Sequence, residues 1–324
     1  MDRRHFVATV LASAACTSPL VQAQTGYPDQ PIKWIVPYPA GGGTDNLART
    51  LAEAMRTSLG QPLLIDNRPG AATNIGAETV ARAKADGYTI MSADNAVLAF
   101  NEHLFKRLPF SPENDFSYIG GIGKFPLALV VHPDFPARDF AQFLAYVKAN
   151  PGKVNYASVG NGSPHHLAME MFKHRTGAFI THIPYRGAAP AMQDVMGGQV
   201  PAMFLDLASG LSIIRGGKVR ALAIGSQQRS AVLPDVPTLK ELGVADVDVF
   251  AFQGVLGPAG LAPAVVTRLN QELNKALADP AVLGKFTEFG FEPLRLAPAQ
   301  FKALARSESQ RWGTVIKANG ISLD

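Results

Sequence analysis

Three loops in this chain join glycines and small residues to the start of a helix, a combination suited to holding an anion. They are Pro37-Tyr38-Pro39-Ala40-Gly41-Gly42-Gly43-Thr44-Asp45, Ala157-Ser158-Val159-Gly160-Asn161-Gly162-Ser163-Pro164-His165 and Ile183-Pro184-Tyr185-Arg186-Gly187-Ala188-Ala189-Pro190. Glycine removes the side chain that would keep a ligand off the backbone. The first turn of a helix then offers unpaired N–H groups and a partial positive charge, so an anion can be held without a lysine. Each charge-assisted bond contributes about 1.5–3 kcal/mol. Micromolar affinity needs only about 8 kcal/mol net. Thr44 and Ser163 can cap their helices or donate a hydroxyl, and Pro164 suits a first helical position. A single such loop is an ordinary strand-to-helix connection. Three of them point to a ligand, because ligands bind beyond the ends of parallel strands.

Other groups near these loops each have two readings. Asp45 can bind a ligand or complement the helix dipole. Asp206 can accept from a ligand donor or brace a loop, and Arg186 can pair with a carboxylate or stay solvated. Tyr38 and Tyr185 can wall a pocket or pack as core. A dinucleotide fingerprint fails on spacing, since Asn46 stands where the third glycine belongs. Gly162-Ser163-Pro164 is not a nucleophile elbow. Ser163 with His165 or His166 as base nevertheless remains the enzyme alternative, a secreted serine hydrolase. His165 and His166 lack a third ligand at useful spacing, and His174 and His182 are isolated, so no metal site and no cofactor is expected.

The elements that must position these groups alternate. Apolar runs at Ile32–Val36, Leu63–Ile65, Tyr88–Met91, Leu127–Val131, Phe179–Ile183, Ala202–Leu205, Val219–Ile224 and Phe250–Val255 read as strands. Helical patterns lie between them: Leu47, Leu51, Met55 and Leu59 recur every four residues, as do Val266, Leu269, Leu273 and Leu277 with small offsets. Alternating βα units predict an α/β fold with mostly parallel sheets. Two extended segments, around Leu127–Pro133 and Val249–Pro258, can each carry the chain between domains. The expected division is domain 1 at 24–126 plus 250–324 and domain 2 at 127–249.

The amino terminus reads as a signal peptide. Arg3 and Arg4 precede an apolar stretch, Phe6–Leu20, and Val21-Gln22-Ala23 offers a cleavage site after residue 23. That places the mature chain outside the cytoplasm, in the periplasm. Arg3-Arg4-His5-Phe6 leaves twin-arginine export open beside general secretion. Cys16, the only cysteine, leaves a lipid anchor as a second mode. The formal charge is +4; losing Asp2, Arg3 and Arg4 with the leader removes +1 and leaves +3. No basic stripe is present, which argues against nucleic acid.

These loops also carry a family resemblance. Tyr27-Pro28-Asp29-Gln30-Pro31-Ile32 leading into Ile35–Arg49, together with Asn67-Arg68-Pro69-Gly70-Ala71, Gly162–Leu167, Pro184–Gly187, Gly197-Gly198-Gln199-Val200 and Asp235-Val236-Pro237-Thr238, resembles the substrate-binding proteins of tripartite tricarboxylate transporters, the Bug or TctC-like family. The resemblance implies a type II periplasmic binding protein fold: two α/β domains joined by two crossing strands, with a ligand cleft between them. It implies a non-enzymatic, monomeric protein that captures a small carboxylate and delivers it to membrane permease subunits, or reports it to a sensor kinase. One jaw is then Ala40–Asp45 with Tyr38, completed by Ala93 and Asn95; the other is Asn161, Gly162, Ser163 and His166 with Tyr185, Arg186, Gly187 and Asp206. Where many relatives carry a histidine or threonine, the segment Ala93-Asp94-Asn95-Ala96 departs, so the particular acid stays open among di- and tricarboxylates, including aromatic ones such as terephthalate.

Overall fold

A computed structural model describes residues 26–324 except 246, 289 and 319. The expected leader, its cleavage site and Cys16 lie outside the described residues. The chain begins with β1 (Ile32–Val36), α1 (Gly43–Leu59), β2 (Leu63–Asn67), α2 (Asn74–Ala81) and β3 (Thr89–Asp94). A wide helical turn, Ala96–Phe100, runs into α3 (Asn101–Leu104) and then β4 (Phe116–Val131). Next come α4 (Phe140–Ala149), β5 (Asn155–Ser158), α5 (Pro164–Thr176), β6 (Thr181–Pro184), α6 (Ala188–Met196), β7 (Ala202–Asp206), α7 (Leu207–Arg215) and β8 (Arg220–Ile224). The chain closes with β9 (Phe250–Pro258), α8 (Pro263–Ala276), α9 (Pro280–Glu288), β10 (Glu292–Pro293) and α10 (Pro298–Ala318).

The strands lie in the order β2-β1-β3-β9-β4-β7-β5-β6, with β8 and β10 also paired to β4. One half is parallel β1, β2 and β3; the other is parallel β5, β6 and β7. β4 joins them. Its Phe116–Pro126 portion pairs antiparallel with β9, and Leu127–Val131 pairs with β7 and β8. The returning chain crosses beside it, where Leu127 N donates to Val249 O at 3.4 Å.

Helix α1 shows how sequence sets packing. Leu47, Leu51, Met55 and Leu59 form one buried face against the sheet. Gly60 ends the helix in the left-handed region, at φ 71°, with its N–H on Arg56 O. In α8 the buried residue of the first turn is Val265, not the expected Val266. Two other differences have local causes. β4 runs eleven residues further toward its N-terminus than the apolar stretch predicts, through Gly120, Gly121 and Gly123. The apolar run leaves those glycines outside the strand, yet a Cβ on Gly123 would lie 2.0 Å from the Phe291 ring and one on Gly121 2.7 Å from Leu294 O. They are bare because the chain around β10 lies directly on that face. β6 starts at Thr181, not Phe179, whose ring stays 59% exposed.

The consequence for function is positional. The candidate loops all follow the C-terminal ends of parallel strands: 37–45 after β1, 95–96 after β3, 159–163 after β5 and 185–187 after β6. Among the described residues no helix is long and apolar enough to cross a membrane.

Candidate functional site

Loops from both halves enclose a cleft of about 660 Å³. Residues 37–39 and 69–73 line one side, and 159–163 and 184–187 the other. A smaller cavity of about 40 Å³ adjoins it toward the crossing strands, lined by Gly42, Gly43, Thr44, His165, Asp206 and Gln253 among others. Tyr38 and Gly187 border both spaces. The halves touch here. A Cβ on Gly43 would lie 3.1 Å from both Ala208 Cβ and Asp206 Oδ1, and one on Gly187 3.1 Å from Pro39 Cγ.

Of the side chains lining the larger cleft, Arg186 alone is charged. It is exposed and makes no ion pair among the described residues. Tyr185 beside it is engaged: its hydroxyl donates to Asp194 Oδ2 at 2.6 Å. Burial and that carboxylate push the phenol up to about 12.

The helix starts divide into open and closed ones. At α1 the N-cap is Gly42, with no side-chain cap, and the first intrahelical bond is Asn46 N to Gly42 O at 3.0 Å. α6 is likewise capped only by Gly187, held at φ 107°. Their leading N–H groups have no side chain to accept them. α5 is closed: Ser163 Oγ accepts from His166 N at 3.3 Å and donates to Gly160 O at 2.7 Å. The Ser163 hydroxyl is therefore bonded to a carbonyl and not to an imidazole base. α7 is closed by Asp206, which accepts from Ser209 N at 2.8 Å, Ser209 Oγ at 2.6 Å and His165 Nε2 at 3.0 Å. Burial alone would raise Asp206; the bonds from His165 and Ser209 outweigh it and hold the carboxyl below its usual range.

Several expected contacts turn out to support the loops. Asp45 accepts from Gly41 N at 2.9 Å, Arg49 Nε at 2.9 Å and Asn67 Nδ2 at 3.0 Å. Burial raises it, but those donors prevail and keep it ionised. Asn95 braces β9, accepting from Phe252 N at 2.8 Å and donating to Phe250 O at 3.2 Å. Ala93 lies in the core opposite Gly254. His166 Nδ1 accepts from Gly162 N at 3.1 Å, and its ring stacks on His182 at 4.2 Å. Ala40, Gly41, Asp45, Ala93, Asn95 and His166 line neither space. Tyr38, Asn161, Gly162, Ser163, Tyr185, Arg186 and Gly187 line the larger one; Gly42, Gly43, Thr44 and Asp206 line the smaller. Tyr38 donates to Asp94 Oδ2 at 2.7 Å, and burial raises that carboxyl despite the bond.

Sequence reasoning missed four contributors, Ala71, Ala72, Thr73 and Gln253, and weighed His165 only as a base or a metal ligand. Ala71, Ala72 and Thr73 line the cleft with φ of 46°, 50° and 77°. The left-handed region costs a non-glycine residue about 1–2 kcal/mol, here offset by bonds such as Asn101 Nδ2 to Ala72 O at 2.7 Å. Nothing in three small residues signals that conformation. His165 faces the smaller space with Nδ1 unpartnered, as does Gln253 with Oε1. Gln253 carried a signal: it is the lone amide in the apolar run Phe250–Leu256.

Two βα halves linked through β4 and β9, with the open start of α6 on the cleft and that of α1 on the adjoining cavity, have the architecture of a periplasmic binding protein. The fold is similar to that of the periplasmic binding protein BugD, at 35% identity and a TM-score of 0.87, covering 91% of this chain and 99% of that one. Residues 47–321 match the tripartite tricarboxylate transporter family receptor, TctC, and the chain belongs to that family. Protein BugT of Bordetella pertussis is 39% identical over 97% of this chain and 96% of its own. MatC of Rhodopseudomonas palustris, solved with bound malate, is 31% identical with a TM-score of 0.86, covering 90% of this chain and 100% of that one.

Proposed function

We propose that this chain is an extracytoplasmic receptor that encloses a small di- or tricarboxylate between its two halves and delivers it to a membrane permease. The observation that carries the reading is the charge of the larger cleft, where unpaired Arg186 stands among otherwise uncharged lining residues. The open starts of α1 and α6 add backbone donors from opposite halves, so one acid would engage both and favour closure. Malate, held by the relative MatC, is the first acid to try. Permease delivery and the periplasmic address rest on family membership.

A thermal-shift screen over aliphatic, hydroxylated and aromatic di- and tricarboxylates tests the reading. At least one acid should raise Tm with a saturating concentration dependence. Stabilisation by sugars or cations and by none of the acids would overturn it.

A further inference from the structure

Two residues that line the smaller cavity each hold a buried polar atom with no partner among the described residues: His165 Nδ1 and Gln253 Oε1. His165 is 6% and Gln253 1% exposed, so bulk water does not satisfy them. They come from opposite halves, His165 from α5 and Gln253 from β9. The other end of each side chain is committed. His165 Nε2 meets Asp206 Oδ2 at 3.0 Å, and since that carboxylate only accepts, Nε2 is the donor there. Gln253 Nε2 donates to Thr44 Oγ1 at 2.6 Å. Gln253 Oε1 is thus a free acceptor and His165 Nδ1 a free ring nitrogen, and unpaired buried polar atoms cost free energy until a partner arrives.

The space is small, about 40 Å³, and adjoins the main cleft at Tyr38 and Gly187. That suffices for one small group and not for a second carboxylate with its own hydration. Gly43 and Thr44, at the open start of α1, line the same cavity. A ligand carboxylate held by α1 would carry its neighbouring substituent toward His165 and Gln253.

We infer that this cavity is a specificity subsite for a small hydrogen-bonding substituent, a hydroxyl or an ammonium, borne next to a ligand carboxylate and met jointly by His165 and Gln253. The subsite rests on the carboxylate reading and narrows it to substituted acids. It would select by penalty: an acid without that substituent leaves both polar atoms unsatisfied or strands a water between them.

The test is calorimetric titration of the whole protein with succinate, glutarate and adipate, each beside its 2-hydroxy and 2-amino counterpart. At the chain length that binds, a substituted acid should exceed the plain one about tenfold in affinity, and the preferred substituent separates hydroxyl from ammonium. Gln253→Met, similar in length but without the acceptor, should cut that ratio to about twofold or less. The wild-type ratio stands even where the variant does not fold. Equal affinity for plain and substituted acids, or a ratio unchanged in a folded Gln253→Met, would overturn the subsite while leaving the carboxylate reading intact. Binding of none of these acids, nor of any carboxylate in the thermal screen, would overturn both.

Discussion

Arg186 and His166 show how differently two polar side chains of neighbouring loops serve the same cleft. Arg186 has no ion-pair partner among the described residues and lines the space where an anion would sit. Replacing it, as Arg186→Gln, should weaken acid binding about tenfold, the worth of one charge-assisted bond. It should also flatten the dependence of affinity on salt in calorimetric titrations from low to physiological ionic strength. His166 acts through the backbone, accepting Gly162 N–H. Burial and then neighbouring Lys173 hold its pKa down at about 4, against a partial upward pull from Glu170. A base with a lowered folded pKa binds its proton less readily folded than unfolded. Its stabilisation is therefore full above about pH 6.5 and lost as pH falls toward 4, by about 3 kcal/mol at most. Tm should drop between pH 7 and 4.5, and His166→Leu should show a shallower drop from a lower starting value. His182, lowered to about 3 mainly by burial, adds to the same trend. Both roles turn on which atom meets which. Arg186 was legible as a residue able to pair with a carboxylate, whereas nothing in Gly162–His166 announces that the imidazole faces its own loop.

At the scale of elements, the open N-terminus of α1 depends on the absence of a side chain. Gly43 brings α1 against Ala208 and Asp206 of the opposite half. Gly43→Ala should hold the halves apart by a few tenths of an ångström at that contact, weakening ligand binding chiefly through a faster off-rate in stopped-flow measurements. Gly177→Ala, at a helix end far from any neighbouring side chain, should cost stability through its φ of 70° and leave the off-rate alone. The β1–loop–α1 unit was legible because its hydrophobic spacing and its glycines tell the same story. β4 was legible only in its apolar second half. Its first half is glycine-rich because the chain around β10 packs on it, and a long-range contact of that kind leaves no local pattern. The left-handed turn at Ala71–Thr73 was hidden for a related reason: Asn101, well downstream, helps to hold it.

At the scale of the molecule, the partner change in β4 at Pro126/Leu127 and the return at Val249/Phe250 support a division into 24–126 plus 250–324 and 127–249, hinged at those two crossings. We propose this division and these hinges, and halves so joined should close on a ligand. Small-angle scattering should report a smaller radius of gyration at saturation, and a ligand at a hundred times its Kd should add about 2.7 kcal/mol of stability. The alternation of βα units foretold both halves; their contact across Gly43 and Gly187 depends on three-dimensional closure and is not written in any one segment. The claim beneath all of this is that ionised carboxylates are what the cleft holds. Calorimetric titration of the best acid from the thermal screen against its fully methylated ester tests that claim most directly. The acid should bind with micromolar or tighter affinity and the ester at least a hundredfold more weakly, whereas equal binding of acid and ester would contradict it.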